Sequence, residues 1–161
     1  MNGGLIVRLL ICAGGTGGGV YPALAVHSAL TSQRPNIEAL WVGGEGGMEE
    51  ELVNRAGISY RSIPAAGVHG VGLRTLPGNI AKLTRGVSAS RRILREFKPD
   101  VLFFTGGYVA APMALAGRNI PTVLYVPDIE PGLALKFLSR FADRVTVTAP
   151  NSKKYFSRPG R

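Results

Sequence analysis

Residues 13–19 read AGGTGGG and lie between an apolar run of strand length, residues 5–12, and the Ala/Leu/Val-rich residues 23–30, which suit a helix. A buried strand that feeds a glycine loop and then a helix presents backbone N–H groups and a positive helix end to an anion. Glycine suits such a loop because a side chain would hold a phosphate away from the backbone, and because some of these positions need φ > 0. Pro22 fits the first helical turn, where its missing N–H costs nothing. The spacing also excludes. G-x-G-x-x-G fails, since counting from Gly15 puts Val20 in the third glycine's place, and counting from Gly17 puts Pro22 there. The P-loop spacing fits from Gly14 to Gly19, but Val20 and Tyr21 stand where Lys and Ser/Thr are required. Two readings remain: an anion site of another kind, or a tight turn without a ligand.

The rest of the chain repeats this grammar. Residues 38–42 read as a second strand ending in a glycine loop at 43–47, followed by a helix at 48–56 that Gly57 stops. Residues 58–63 alternate apolar and polar as a third strand. Residues 64–78, with four glycines and two prolines, read as loop, and 79–97 as a helix. Residues 101–104 form a short buried strand, which runs into a third glycine loop at 105–108 and a small-residue helix at 109–116. Strands at 121–126 and 144–148 enclose a helix at 133–141, and Asn151 suits the cap of a last helical turn to Tyr155. Alternating strands and helices define an α/β fold, a Rossmann-like doubly wound parallel sheet of about six strands covered on both faces. In such a sheet the first and fourth strands are neighbours, and ligands bind in the crevice between their loops. The loops at 14–19 and 106–108 should therefore face one another across one cleft.

Composition narrows the classes. A chain of 161 residues, 45% apolar and 18% charged, suits one folded domain. No run approaches the roughly 18–20 apolar residues of a membrane span. Arg8 interrupts residues 5–12, which do not read as a signal peptide. The single cysteine, Cys12, excludes an internal disulfide, fits a reducing compartment, and reads as core packing at the end of a strand. The net charge is +9, and no Asp or Glu occurs from residue 52 to residue 95. That interval holds Arg55, Arg61, Arg74, Lys82, Arg85, Arg91, Arg92 and Arg95. A surface so one-sided attracts phosphates, nucleic acid or an anionic bilayer. No aromatic-rich stacking surface or recognition motif accompanies it, which argues against nucleic acid.

GGTGG followed by VYPALAV, then GGEGGMEEELV, KPDVLFFTGGYVAAP, IPTVLY and GLALKFLSRFADRV, in that order, resemble the N-terminal domain of the MurG-type glycosyltransferases of family 28. These are enzymes of bacterial cell-wall synthesis with two Rossmann-like domains of the GT-B type. The resemblance covers nearly the whole chain. It implies transfer of GlcNAc from UDP-GlcNAc to a lipid-linked muramoyl-pentapeptide diphosphate, without metal or other cofactor. It also implies a cytoplasmic protein, peripheral on the inner face of the membrane. Residues 1–156 would then be the acceptor-side domain, and 157–161 a tail or the start of a linker to a donor-binding C-terminal domain absent from this sequence. By the same resemblance Gly15, Thr16, Gly17 and Gly18 would touch the transferred sugar or the acceptor diphosphate, and Gly106, Gly107 and Tyr108 would line the acceptor side.

Two departures stand out. The family motif is GGTGGH, with the histidine a candidate acid or base, and here that place is Gly19. His27 and His69 lie elsewhere and read as packed or surface residues. Asp128 stands where the family carries Asn in a His-Glu-Gln-Asn-Gly stretch, so only the position carries over. Deprotonating a sugar hydroxyl needs a base within hydrogen-bond reach, and the carboxylates nearest by loop position are Asp128, Glu130 and Glu45. Asp128 is the first choice among them, each having a plainer alternative as cap, turn residue or solvated charge. Leu73, Leu76, Ile80, Leu83 and Val87, interleaved with Arg74, Lys82 and Arg85, form an apolar stripe with basic flanks. That stripe suits an anionic headgroup layer or packing on the sheet, and Pro77-Gly78 argue against a continuous helix from Leu73. Two other functions fit the same residues: a transferase acting on another lipid or small glycoside, and a non-catalytic domain that recruits a separate donor-binding chain to the membrane.

Overall fold

Leu9, Ile11 and Ala13 face one side of the sheet and Leu10 and Cys12 the other, all of them buried. A strand covered on both faces reads as an unbroken apolar run, which is why residues 9–13 carry no polar alternation, whereas Leu5, Ile6 and Val7 before them are exposed. The computed structural model describes residues 5–15, 17–65 and 76–156, and for Leu76 the backbone alone. The strands are β1 (Val7–Ala13), β2 (Ile37–Gly44), β3 (Ser59–Ile63), β4 (Val101–Gly106), β5 (Thr122–Val126) and β6 (Arg144–Val147). They form one six-stranded sheet in the order β3-β2-β1-β4-β5-β6, every neighbouring pair parallel. β1 lies between β2 and β4, so the strand order reverses direction at the β1/β4 boundary, as the sequence predicts.

Helices cover both faces. α1 (Gly17–Gln33) and α2 (Glu49–Arg55) pack Val20, Ala23 and Val53 against Leu9, Ile11, Trp41 and Phe103. On the other face α3 (Leu76–Phe97), α4 (Ala110–Ala116) and α5 (Leu133–Leu138) bring Ile93, Leu94, Met113, Leu135 and Leu138 against Leu10, Val42, Phe104 and Leu124. Each such side chain taken fully out of water contributes about 1.5–3 kcal/mol before entropy is counted.

Among the differences from the expected bounds, three have a plain local reason. α1 starts at Gly17, not near Ala23, so Pro22 lies inside the helix rather than in its first turn. The hydrogen bond it forfeits is that of the Gly18 carbonyl, which is exposed and can reach water. α3 starts at Leu76, so Pro77 and Gly78 belong to the helix and not to the preceding loop. Pro77 occupies the first turn, where no intrahelical N–H is required. The last element, Pro150–Tyr155, is a 3-10 helix that follows Ala149 without a side-chain cap, so Asn151 does not cap it. α3 packs through Gly86, Ser90, Ile93 and Leu94, one face at helical spacing, while Lys82, Arg85, Arg91, Arg92 and Arg95 are exposed. Gly86 is required there, since a Cβ would come within 2.3 Å of the Pro64 carbonyl oxygen.

Candidate functional site

The β1 loop is fixed before it reaches the cleft. Trp41, wholly buried on β2, donates its indole N–H to the Ala13 carbonyl at 2.8 Å. Gly14 is buried, and Gly15 takes φ +86°, a conformation that side chains rarely adopt. α1 opens two residues later, so the N–H groups of Gly17, Gly18 and Gly19 have no partner within the helix and sit at its positive end.

The β4 loop meets it directly. Cys12 pairs with Phe104, but Ala13 pairs with Gly106, which leaves Thr105 as an extra residue in β4. The Thr105 hydroxyl donates to the Gly19 carbonyl at 2.8 Å, joining β4 to the first turn of α1. Gly107, at φ +89°, lies so close to Gly14 that a Cβ would stand 2.2 Å from the Gly14 carbonyl oxygen. Tyr108 is 60% exposed, and a Cβ on Gly15 would lie 3.9 Å from its ring. The loops at 14–19 and 106–108 are thus in contact at the carboxyl edge of the sheet. Thr16 lies outside the described residues.

Sequence reasoning missed Glu49. This first residue of α2 is wholly buried, and its carboxylate accepts the Gly44 N–H at 2.8 Å and the Gly15 N–H at 3.3 Å. It fills the space left by three missing side chains, since a Cβ on Gly14, Gly43 or Gly47 would come within 2.6 Å of it. Burial and the Glu49 charge raise the Cys12 thiol well above its usual range, and the same two causes raise the Tyr60 hydroxyl. Cys12 is therefore an inert core group, as expected. The Tyr60 hydroxyl donates to the Gly44 carbonyl at 3.2 Å. The signal in the sequence was a run of three acids directly after a glycine loop, and nothing in it distinguishes the one that turns inward.

Asp128 follows β5, at the same edge of the sheet and one strand beyond β4. Its side chain is exposed. The buried Ser152 hydroxyl bonds the carbonyls of Asp128 and Ile129 at 3.2 and 2.9 Å, clipping this loop to the 3-10 helix. Glu130 accepts from the Tyr155 hydroxyl at 3.3 Å, and Glu45 is exposed beside the β2 loop. A Cβ at Gly19 would lie 3.1 Å from Thr105 Oγ1, so a histidine there requires Thr105 to yield slightly. His27 lies within α1, partly buried, and burial lowers its pKa. Among the described residues no group of three His, Cys, Asp or Glu could hold a metal ion.

The membrane stripe is separate from this edge. Ile80, Lys82 and Arg85 are exposed on α3, and Leu83 and Val87 are partly buried. Leu73, Arg74 and His69, the side chain of Leu76, and residues 157–161 lie outside the described residues. Arg85, Ser88, Arg92 and Arg95 line a shallow cleft of about 330 Å³ along the helix. Among the described residues no helix is long and apolar enough to cross a membrane.

This doubly wound sheet recurs among solved structures as part of longer chains. UDP-GlcNAc 2-epimerase from Neisseria meningitidis shares it at 14% identity and TM-score 0.67, over 92% of this chain and 42% of that one, a likeness of fold alone. A closer likeness is the MurG of Acinetobacter baumannii, at 32% identity and TM-score 0.78 over 90% of this chain and 42% of that one. The glycosyltransferase family 28 N-terminal domain model matches residues 9–147, and the chain belongs to that family. Two curated relatives are named UDP-N-acetylglucosamine--N-acetylmuramyl-(pentapeptide) pyrophosphoryl-undecaprenol N-acetylglucosamine transferase. The one from Desulforudis audaxviator is 38% identical and the one from Bacillus subtilis 37%, each over 93% of this chain. The chain spans 41% and 42% of their respective lengths.

Proposed function

We propose that the chain is the acceptor-side half of a hexosyltransferase that moves GlcNAc from UDP-GlcNAc to a lipid-linked diphosphate acceptor in peptidoglycan synthesis. The observation that carries this reading is the contact of the β1 and β4 glycine loops beside the open first turn of α1. A diphosphate needs positive potential without bulk, and backbone N–H groups at a helix start supply it. Gly17 and Gly18, with Thr16 beside them, hold that anion, and Gly15, Gly106, Gly107 and Tyr108 line its sugar. The names of the curated relatives support both substrates.

Asp128 serves as the general base in this reading, in place of the absent imidazole at Gly19. A donor-binding domain beyond these residues completes the cleft, so the chain alone turns over no UDP-GlcNAc, because the donor must be held against the acceptor. The cations of α3 rest on the anionic inner face of the cytoplasmic membrane.

A soluble short-prenyl diphosphate acceptor titrated into the chain should shift the amide resonances of residues 17–19 and 106–108. Shifts confined to other elements would overturn the site. In the chain joined to a family donor domain, Asp128→Asn should lower kcat by about 10²–10⁴-fold with little change in KM. Gly19→His should have a smaller effect or a gain. A silent Asp128→Asn beside a strongly activating Gly19→His would remove the base assignment.

A further inference from the structure

Glu49 takes its place among the buried residues without a cation, since none of the ion pairs among the described residues involves it. A buried carboxylate is costly unless donors satisfy it. Here the donors are two main-chain N–H groups from different loops, Gly15 after β1 and Gly44 after β2. Gly15 N–H and Gly14 C=O belong to one peptide unit. Its N–H points inward to Glu49, while its carbonyl lies against Gly107 of the β4 loop. With glycine on both sides and φ +86° at Gly15, that unit has little intrinsic preference for one orientation over its reverse.

We propose that Glu49 is a positioning residue: its carboxylate locks the Gly14–Gly15 peptide plane and ties the β1 loop to the β2 loop, which sets the seat on which the β4 loop rests. The carboxylate also takes up the Gly15 N–H, so an anion at this edge is left to the first turn of α1. This second step rests on the reading of the loop as a diphosphate site; the tether does not.

Glu49→Gln is the discriminating variant. It keeps the volume, but its carboxamide presents one acceptor and one NH₂, so it cannot accept from both N–H groups. Glu49→Asp keeps the charge and draws the carboxyl back by one methylene, too far to reach both loops. The 161-residue chain is followed by amide NMR and titrated with inorganic pyrophosphate. In the unaltered chain the Gly15 and Gly44 amides should be protected from hydrogen exchange, and exchange of either at the free-peptide rate overturns the tether without any variant. In Glu49→Gln, Gly15 or Gly44 should lose protection while the Trp41 indole resonance stays in place, and unchanged protection of both overturns the proposal. The pyrophosphate Kd should rise by at least about tenfold, the worth of one charge-assisted hydrogen bond. Equal or tighter binding by the variant sinks the positioning role. If the unaltered chain does not bind pyrophosphate, the diphosphate reading fails, and the exchange rates alone decide the tether.

Discussion

The carboxyl edge of the sheet and the exposed face of α3 both suit anions, by opposite means. At the edge the surface is main chain, held by Trp41, Glu49 and Thr105 and shaped by glycines whose neighbours leave no room for a Cβ. On α3 it is a row of long cationic side chains, Lys82, Arg85, Arg91, Arg92 and Arg95, exposed to solvent. Main-chain donors cost little entropy to order and fix the geometry of what they bind, whereas a cationic face fixes charge and little else. The difference teaches where substitutions register. Changes at the edge alter folding and binding together, and changes to the exposed cations of α3 alter binding alone.

The largest expected effect comes from Gly107→Ala. A left-handed φ and overlap with the Gly14 carbonyl together should cost about 3 kcal/mol or more, read from urea unfolding. A loss below about 1 kcal/mol would mean that the loops separate easily and are not interlocked. Next comes joint replacement of Lys82, Arg85 and Arg92 by Ser. Binding to anionic vesicles should weaken by about 1 kcal/mol per cation, and in the unaltered chain it should fall as salt is raised. The melting temperature should barely move, as for other surface changes. Binding indifferent to all three would reduce α3 to a solvated face and break the comparison from its other side.

Thr105→Val keeps the shape and removes the hydroxyl that reaches Gly19, so a loss of about 1 kcal/mol is expected from denaturant melts. The smallest effect concerns the exposed ion pair of Arg61 with Glu96, at the carboxyl end of α3. The hydrogen bond from Arg61 holds the Glu96 carboxyl below its ordinary 4.5. Stability from this pair is in place above that ordinary value and is lost as the pH falls through the lowered one. The melting-temperature difference between the unaltered chain and Glu96→Gln should shrink on acidification below about pH 4.5.

Much of the fold was legible because burial on both faces leaves a plain mark. The apolar residues before each glycine loop announced β1, β2 and β4, and the turn residues between them announced parallel crossovers. The start of α1 was hidden because Gly17–Gly19 have poor helix propensity, and only the tertiary setting makes them helical. Pro77 and Gly78 concealed the first turn of α3 for the same reason. In the candidate site the contact between the β1 and β4 loops followed from strand order. Glu49 did not, because Glu49, Glu50 and Glu51 are chemically equal in the sequence. Which of them turns inward depends on how α2 leaves the β2 loop, a fact of three-dimensional direction and not of composition.

The extra residue Thr105 has a consequence for how this chain tolerates changes in length. Each strand residue advances the chain by about 3.3 Å and turns the next side chain to the opposite face. Deleting one residue between Phe104 and Gly107 would erase the offset with β1, draw the β4 loop back by about that distance and swing Tyr108 to the other face. The turn at Gly117–Ile120 lies at the far end of β5 and can lengthen without moving the cleft, because the pairing of β4 with β5 is set by the strands themselves. Insertions and deletions should therefore be tolerated unequally at the two ends of the sheet, with single-residue changes permitted at the amino edge and rejected beside the glycine loops.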